Sequence, residues 1–452
     1  MAGRSNTAVT GSAHHSRPIT ARPSIWENPL QDQPQASAAS PGLDTFDPAM
    51  IARPHAFYER LREHLPIVWI PQLESWFLSR YEDVRAVLRD HEQWSSMRGD
   101  DRRSLEVSGV MIETIAPRGT LDMLGADRPD HTRLRKLLAL DFTPSKINRM
   151  QPRVTEITRT LLEGAAARPT FDVAEELAVP LPVTVIAELL GIPPELGKQF
   201  KAWSDAVIEP LRPDADEAVV QARNAQVVDF RNYLQARIAE RHVTPTDDFI
   251  GRLVAAHEQE DKLTDSELLA AVALLLLAGN ETTTNLISNA TLALCKFPER
   301  QRELREHPER IDAAVEEFLR YDGSVQFTSR RAVNDAQFHG QTIKAGQMAV
   351  VVLASANRDE REFDAPNELR FDRPPHKHLG LGDWIHICLG QFLARMETRA
   401  ALLGLLAAYP PFELAVPEEE IPYRANFNLR GPKHLLIRPV IQAAIRPVAG
   451  AV

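Results

Sequence analysis

The sequence predicts a mainly α-helical protein with small antiparallel β-sheets, built as a single large domain around one long central helix. Helical patterns of apolar residues recur along most of the chain, whereas strand-like alternation is confined to two short regions. No linker or internal repeat interrupts the chain after Asp47. The length of 452 residues would by itself suggest about three domains, but without a boundary we expect one.

The elements follow from local patterns. Residues 1–45 are rich in Ser, Ala, Pro and Thr without apolar periodicity, so we expect a disordered tail there and one domain over residues 46–452. Helical patterns with short Pro or Gly breaks cover residues 55–64, 82–91, 145–164, 182–190, 194–208 and 218–241. The expected strands are residues 67–78, which are broken by Pro71, and residues 338–352, which alternate around two glycines.

The longest helix begins after Thr264, because Glu267 three residues later completes a capping box. Pro298 marks its end. Roughly 32 residues at 1.5 Å each give a length of about 48 Å, enough to cross the whole molecule. Its apolar run is shorter than the roughly 20 residues needed to cross a bilayer, so we interpret it as a buried helix rather than a membrane span.

Composition narrows the class of protein. The chain is 44% hydrophobic and 25% charged with a net charge of -10, which indicates a globular protein without a nucleic-acid surface. Its two cysteines are too few for a disulfide scaffold, and the N-terminus lacks the apolar segment of a secretory signal, so we expect a cytoplasmic protein. Cys295 lies among aliphatic residues and is interpreted as an inert buried thiol.

The other cysteine, Cys388, lies between His386 and Gly390 directly before a helical segment. A thiolate in such a loop can hold a metal ion. Haem iron bound by one cysteine thiolate is electron-rich, and the sulfur favours cleavage of the O–O bond of bound oxygen. The loop therefore suggests an oxygen-activating enzyme, although the same pattern fits any thiol before a helix.

A second motif lies in the middle of the long helix, where residues 278–282 read Ala-Gly-Asn-Glu-Thr. Glycine in a helix interior costs about 1 kcal/mol relative to alanine, a cost that is offset if Gly279 opens a groove for a small ligand. Thr282 can then donate a hydrogen bond to bound oxygen. Glu281 can relay protons, a role worth typically 10²–10⁴-fold in rate. The plainer interpretation is a polar break in a buried helix.

Two charged pairs have helical spacing. Glu317 and Arg320 lie three residues apart on one helix face, an ordinary structural pair that Arg373 is expected to complete. His131 and Arg135 share the face of another helix at a spacing of four, which suits an anionic carboxylate but is also typical of a solvated face.

Taken together, these motifs resemble a bacterial-type cytochrome P450. The acid–alcohol pair at 281–282 is followed by Glu-x-x-Arg at 317–320, Ala-Asn-Arg-Asp at 356–359 and the cysteine loop with Leu-Ala-Arg at 393–395. Each motif is weak alone, but four in the expected order are specific, and the resemblance covers roughly residues 47–440. It implies a cytochrome P450-like domain with the long helix over haem b, the iron protoporphyrin IX cofactor.

The resemblance also implies roles for individual residues. Cys388 matches the axial iron ligand, and Thr282 and Glu281 match the oxygen-activating pair. The residues implied to contact the haem are His131, Arg135, Ala278, Gly279, Arg330, His386, Gly390 and Ala394. Arg330 is preferred to Arg331 because it stands ten residues before Gly340, the spacing usual in the family.

The substrate pocket is implied only in outline. Its expected lining comprises Leu274, Leu277, Val325, Gln326, Phe327 and Phe427, together with the variable segment 97–124. The helices between residues 194 and 241, joined around residues 210–214, are expected to form a lid. Arg98, Arg102, Arg103 and Arg118 of the variable segment are candidates for gripping a carboxylate, but the apolar helix contribution favours a hydrophobic substrate.

The cysteine loop departs from the family pattern at two positions, where Leu381 replaces a phenylalanine and Trp384 replaces a glycine. A glycine in a tight loop often takes a positive φ, in which a bulky residue is strained by roughly 1–3 kcal/mol. Either the loop is reshaped or the strain is tolerated. We hypothesise that Trp384 lies on the proximal surface and changes how an electron donor docks.

The resemblance implies a haem-thiolate monooxygenase that hydroxylates or O-dealkylates a small hydrophobic substrate, aromatic or terpenoid. It would use dioxygen and electrons from a separate ferredoxin or flavin-containing reductase, docked near Arg133 and Lys136, and bind neither nucleic acid nor membrane. The alternatives are a non-catalytic haem-binding or sensor protein and a peroxide-using variant. The pair of Glu281 and Thr282 weighs against both, because neither needs proton delivery.

Overall fold

The computed structural model describes residues 47–97, 115–117, 119–208, 216–257, 263–424 and 426–440. The predicted tail, most of the variable segment with its four arginines, and the predicted lid connection at 210–214 lie outside the described residues.

Helices dominate the described residues. They are α1 (Pro48–Ala52), α2 (His55–His64), α3 (Tyr81–Arg89), α4 (Asp130–Ala139), α5 (Pro144–Leu161), α6 (Pro180–Leu189), α7 (Gly197–Ile208), α8 (Glu217–Val243), α9 (Phe249–His257), α10 (Asp265–Lys296), α11 (Pro298–Glu306), α12 (Ile311–Asp322), α13 (Leu353–Ala356) and α14 (Gln391–Ala408). Each helix predicted from apolar periodicity is present, with ends shifted by a few residues.

Three small sheets complete the fold. Their strands are β1 (Ile67–Ile70), β2 (Ser75–Leu78), β3 (Trp94–Ser95), β4 (Phe171–Asp172), β5 (Thr328–Ala332), β6 (Ala336–Phe338), β7 (Gln341–Ile343), β8 (Met348–Val351), β9 (Phe412–Leu414) and β10 (Leu436–Pro439). The sheets have the strand orders β1-β2-β8-β5-β3, β4-β10-β9 and β6-β7. The prediction of antiparallel pairing is wrong for β2 and β8, which pair in parallel. No tight hairpin joins these two distant strands, so antiparallel pairing is not imposed on them.

The long helix α10 has the predicted bounds and cap. The Thr264 hydroxyl accepts a hydrogen bond from the Glu267 backbone at 3.1 Å, and the Glu267 carboxylate accepts one from the Thr264 backbone at 2.8 Å. Within the described part of the chain, α10 is the one helix long and apolar enough to span a membrane, yet 83% of its most apolar window is buried in the protein. A helix that is apolar on all faces belongs in a core.

Three groups of buried side chains hold the elements together. The central cluster surrounds α10 and includes Leu268, Phe318 and Leu402. The sheet cluster, which includes Trp69 and Leu78, joins one face of the large sheet to α3. The N-terminal cluster, which includes Phe57, Phe77 and Phe327, packs α1 and α2 on the opposite face. Because β1 and β2 contribute alternate residues to both clusters, both of their faces are buried.

Candidate active site

The loop before α14 is closed around Cys388. The backbone N–H of Cys388 donates to the Leu381 carbonyl at 2.8 Å, and the amide of Gly390 donates to its sulfur. Burial raises the pKa of the thiol, whereas the Gly390 amide and the guanidinium groups of Arg135 and Arg395 lower it. The loop thus surrounds the sulfur with groups that stabilise a thiolate.

The same loop keeps a left-handed backbone at its unusual residue. Trp384 has φ 58° and Gly382 has φ 76°. Of the two alternatives for this position, the strain is therefore tolerated. The Trp384 ring is 50% exposed and lies 5.6 Å from the guanidinium of Arg89, which also donates to Asp383 at 2.9 Å. Leu381 packs against the central cluster.

Four basic side chains predicted to hold the haem carboxylates meet beside this loop. The rings of His131 and His386 lie 4.2 Å apart between centroids. Arg135 donates to the Ile387 carbonyl at 2.7 Å, and Arg330 donates to the Ser329 carbonyl at 2.7 Å. Burial lowers the pKa of His386 to about 2, with further lowering by Arg330, His131 and Arg135. Because these four buried basic side chains disfavour positive charge on one another, an anionic partner such as a carboxylate would be stabilised beside them.

Two details fit haem at this place. The Nε2 atom of His131 is buried without a hydrogen-bond partner in the described structure, although buried polar atoms are normally paired, and a carboxylate would satisfy it. A Cβ added at Gly390 would meet nothing within 4 Å, so that glycine leaves open space beside the sulfur.

Arg331 instead donates to the Gly346 carbonyl at 2.8 Å, in keeping with the preference for Arg330. Ala394 lies one turn into α14, with its amide bonded to the Gly390 carbonyl.

On α10, Ala278 and Thr282 form an accessible face one turn apart in an otherwise buried helix. The Thr282 hydroxyl donates to the Ala278 carbonyl at 2.6 Å. Glu281 is buried beside it, with 7% of its surface exposed. The Asn280 amide donates to the hydroxyl of Ser204 on α7. The motif thus presents a hydroxyl on an accessible surface and a carboxyl behind it.

The prediction that Gly279 opens a groove for a ligand is wrong. A Cβ at Gly279 would lie 2.8 Å from the Cδ1 atom of Ile186, which belongs to α6. The glycine therefore accommodates a side chain of the neighbouring helix. Its cost in helix propensity is offset by close packing of α6 on α10 rather than by ligand binding.

Most of the predicted pocket lining is packed in the core. Leu274 and Leu277 are 4% and 7% exposed and belong to the central cluster. Gln326 is 1% exposed and donates to the Gly323 carbonyl at 2.9 Å. The rings of Phe327 and Phe427 contact each other 5.5 Å apart within the N-terminal cluster. These five side chains have little exposed surface, and their assignment to a substrate pocket stays a prediction. Val325, which is half-buried, remains a candidate.

Comparison with known proteins decides the family. The model of the cytochrome P450 family matches residues 50–434. The chain belongs to the cytochrome P450 family. It is 38% identical over 396 residues to cytochrome P450 CYP107DY1 of Priestia megaterium, which covers 85% of this chain and 95% of that protein. It is 37% identical over 395 residues to the vitamin D(3) 25-hydroxylase of Pseudonocardia autotrophica, which covers 86% and 94%.

Comparison with a solved structure also identifies the cytochrome P450 fold. The cytochrome P450 PksS of the Bacillus subtilis 168 bacillaene polyketide synthase superposes with a TM-score of 0.78 at 35% identity, covering 88% of this chain and 99% of that one. The predicted fold class is confirmed. Cytochromes P450 use haem b, and the relatives named for a reaction are oxygenating enzymes, so this P450 is a haem-dependent monooxygenase.

The predicted pair of Glu317 and Arg320 forms in this P450. Arg373 completes it with a hydrogen bond of 2.9 Å to the Glu317 carboxylate. Burial alone would raise the pKa of Glu317, but the bonds from Arg320 and His376 lower it to about 2. The pair is thus a fully ionised, buried network.

The sequence interpretation missed one buried acid of this P450. Glu397 on α14 is 1% exposed, and burial raises its pKa to about 8, with a hydrogen bond from Thr283 of α10 opposing the shift. Its Oε1 atom has no partner in the described structure. The available signal was its position four residues after Leu393 and four before Ala401, both on the buried face of α14.

Proposed function

We propose that this P450 binds haem b through Cys388 and uses Thr282 and Glu281 to insert one atom of dioxygen into a small hydrophobic substrate. The reaction is hydroxylation or O-dealkylation. The observation that carries the proposal is the Cys388 sulfur with an amide donor, beside a buried group of basic side chains that includes the partnerless His131 Nε2.

The haem supplies the activation of dioxygen when bound. The Gly390 amide and Arg135 stabilise the negative charge on the Cys388 sulfur. His131 and His386 would donate to the haem carboxylates, and the charges of Arg135 and Arg330 would favour those carboxylates electrostatically. Together these residues would hold the cofactor.

The chain's own contribution to oxygen activation lies on α10. The Thr282 hydroxyl, which donates to the Ala278 carbonyl, faces the accessible side of the helix and could turn to donate a hydrogen bond to a ligand on that side. Glu281 is the adjacent acid and supplies protons to that hydroxyl. Glu281 is 7% exposed, so little water competes for its proton.

The substrate is proposed to be hydrophobic, either aromatic or terpenoid. Ala278, on the accessible face of α10, is apolar, and so is the half-buried candidate Val325. One relative is named for hydroxylating vitamin D(3), which is itself a hydrophobic molecule. A screen of small aromatics, terpenoids and vitamin D(3), read by the shift in iron spin state, selects among these classes.

Electrons are proposed to come from a separate ferredoxin or flavin-containing reductase, in the cytoplasm. Arg133 stays a candidate docking residue, although its guanidinium also forms an ion pair with Glu267 at the start of α10. Lys136 and Trp384, which are both exposed, are further candidates.

The haem ligand is tested with carbon monoxide on the reduced protein. Wild-type protein and the Cys295→Ser control are expected to give the red-shifted Soret band of a thiolate complex, and Cys388→Ser is expected to lose it. A Cys388→Ser variant that keeps the band excludes Cys388 as the ligand.

A turnover assay distinguishes a monooxygenase from a sensor protein and from a peroxide-using variant. With NADH, a ferredoxin and its reductase, a monooxygenase forms product and consumes NADH when a substrate is added. A sensor consumes no additional NADH, and a peroxide-using variant forms product with hydrogen peroxide alone. Thr282→Ala is expected to divert electrons from product to peroxide, with Thr291→Ala as a control in the same helix.

A further inference from the structure

A buried hydrogen bond links the oxygen side of α10 to the helix α7. The Asn280 side-chain amide donates to the Ser204 hydroxyl. Asn280 is 4% exposed and Ser204 is fully buried. A buried bond of this kind is costly to break unless both partners find new ones, so the position of α7 and the rotation of α10 at Asn280 depend on each other.

On α8, α7 is held by both hydrogen bonds and aromatic packing. Trp203 donates to Asp229 at 2.9 Å, and Arg223 donates to the Ala206 carbonyl at 2.7 Å. Phe200 and Trp203 pack on Phe230 of α8 with ring centroids 6.2 and 5.3 Å apart, and Trp203 also contacts Tyr233 at 4.9 Å. Aromatic contacts are tolerant of sliding, whereas a hydrogen bond is directional. The helices α7 and α8 are therefore expected to move together, and the bond between Ser204 and Asn280 is a directional contact that ties them to α10.

The neighbours of Asn280 are held from the other side. Ile186 of α6 fills the space beside Gly279, and the Thr284 hydroxyl donates to the Ala178 carbonyl at 3.0 Å. Residues 279 and 284 are thus anchored to the α6 region and residue 280 to α7. Glu281 and Thr282 lie between these anchors, so a displacement of α7 acts on them through Asn280.

We propose that Asn280 and Ser204 are a positioning pair that transmits the position of α7 to Glu281 and Thr282. With the bond formed, the acid and the hydroxyl are held in one arrangement on the oxygen side. With the bond broken, α7 and the motif move independently. The proposal rests on the proposed function, since it assigns Glu281 and Thr282 their role.

The test uses the haem-loaded enzyme with carbon monoxide as the probe. The infrared C–O stretch of the reduced complex reports the polar groups that face the bound molecule, and hydrogen exchange reports the opening of α7. Ser204→Ala and Asn280→Leu are each expected to shift or split the C–O band and to raise amide exchange in α7 about fivefold, roughly the loss of one hydrogen bond. The double variant should match the single variants, because both remove the same bond.

Two controls separate this role from a general loss of packing. Ser204→Thr keeps the hydroxyl and should behave as wild type. Ser288→Ala removes another fully buried serine hydroxyl, one that donates at 2.9 Å to the Thr284 carbonyl within α10 rather than to α7. It should leave the C–O band and α7 exchange unchanged.

An unchanged C–O band and unchanged α7 exchange in Ser204→Ala would overturn the proposal, as would additive effects in the double variant. The Soret band of the carbon monoxide complex is recorded on every sample. Failure of the proposed function appears as absence of the thiolate-type band in wild type, and failure of this inference appears with that band intact.

Discussion

Glu317 and Arg320 form a bidentate ion pair in which each carboxylate oxygen accepts a hydrogen bond of 2.7 Å from the Arg320 guanidinium. Both side chains are at most 2% exposed. Arg320 also donates to the Asn357 carbonyl at 2.9 Å, and the Asn357 side chain accepts from the Leu379 amide at 2.6 Å. The pair therefore connects α12 with the segment that leads into the cysteine loop.

Replacing Glu317 by Gln leaves two buried arginines without a carboxylate. Removal of one partner from a buried ion pair typically costs about 3–5 kcal/mol, so we expect a loss of that size together with loss of haem. Urea unfolding and haem content measure both. Glu156→Gln is the matched control, since Glu156 pairs with Arg153 at the same spacing but both are at least half exposed. Equal losses in the two variants would contradict a special role for the buried network.

Glu397→Gln is expected to change the pH dependence of stability. The pKa of Glu397 is raised from 4.5 to about 8, so between these values the native state keeps a proton that the unfolded state has lost. This group therefore makes the free energy of unfolding fall as pH rises, by about 1.4 kcal/mol per pH unit. Glutamine stays neutral at every pH. The free energy of unfolding of the variant, measured relative to wild type in urea titrations, should therefore increase between pH 5 and pH 8. Identical slopes in the two proteins would refute the shift.

Gly279→Ala tests the packing of α6 on α10. The new methyl group would meet the Ile186 Cδ1 atom at 2.8 Å, and overpacking of a core typically costs about 1–3 kcal/mol. Ile186→Val removes that atom, so the double variant should recover most of the loss. Thermal unfolding of the four proteins forms a double-mutant cycle. A cycle with zero coupling would show that Ile186 is not the obstacle.

Trp384→Gly tests the departure in the cysteine loop. Removal of a side chain at φ 58° should relieve about 1 kcal/mol of backbone strain, and Ala365→Gly, at φ 42°, is the control for that effect alone. If Trp384 contacts the electron donor, only the Trp384→Gly variant should lose affinity for the donor, by several-fold, because exposed tryptophans are often binding hot spots. Donor titrations in a reconstituted system measure this, and unchanged affinity and rate would remove Trp384 from the docking surface.

Local signals in the sequence predicted most of this fold. The capping box of Thr264 and Glu267 set the start of α10, and Pro71 separated β1 from β2. The ion pair of Glu317 and Arg320 was visible in its spacing. The cysteine loop and the motif of α10 identified the family, which the comparisons confirm.

Contacts between distant segments were not predictable in this way. A helix that is apolar on every face does not reveal which face meets a ligand, so the sequence alone does not separate a pocket role for Leu274 and Leu277 from the core packing in which both are buried. The role of Gly279 depends on Ile186, and that of Asn280 depends on Ser204, and no local pattern connects either pair.

The parallel pairing of β2 with β8 has a consequence for biosynthesis. Trp76 on β2 donates to Gln347 beside β8, 271 positions further along the chain. β1 and β2 therefore leave the ribosome long before β8 is synthesised, and the edge of β2 that pairs with β8 stays exposed until then. Because contacts of such sequence separation slow folding and expose aggregation-prone surfaces, we expect the N-terminal segment to be the last part of the nascent protein to acquire its native structure.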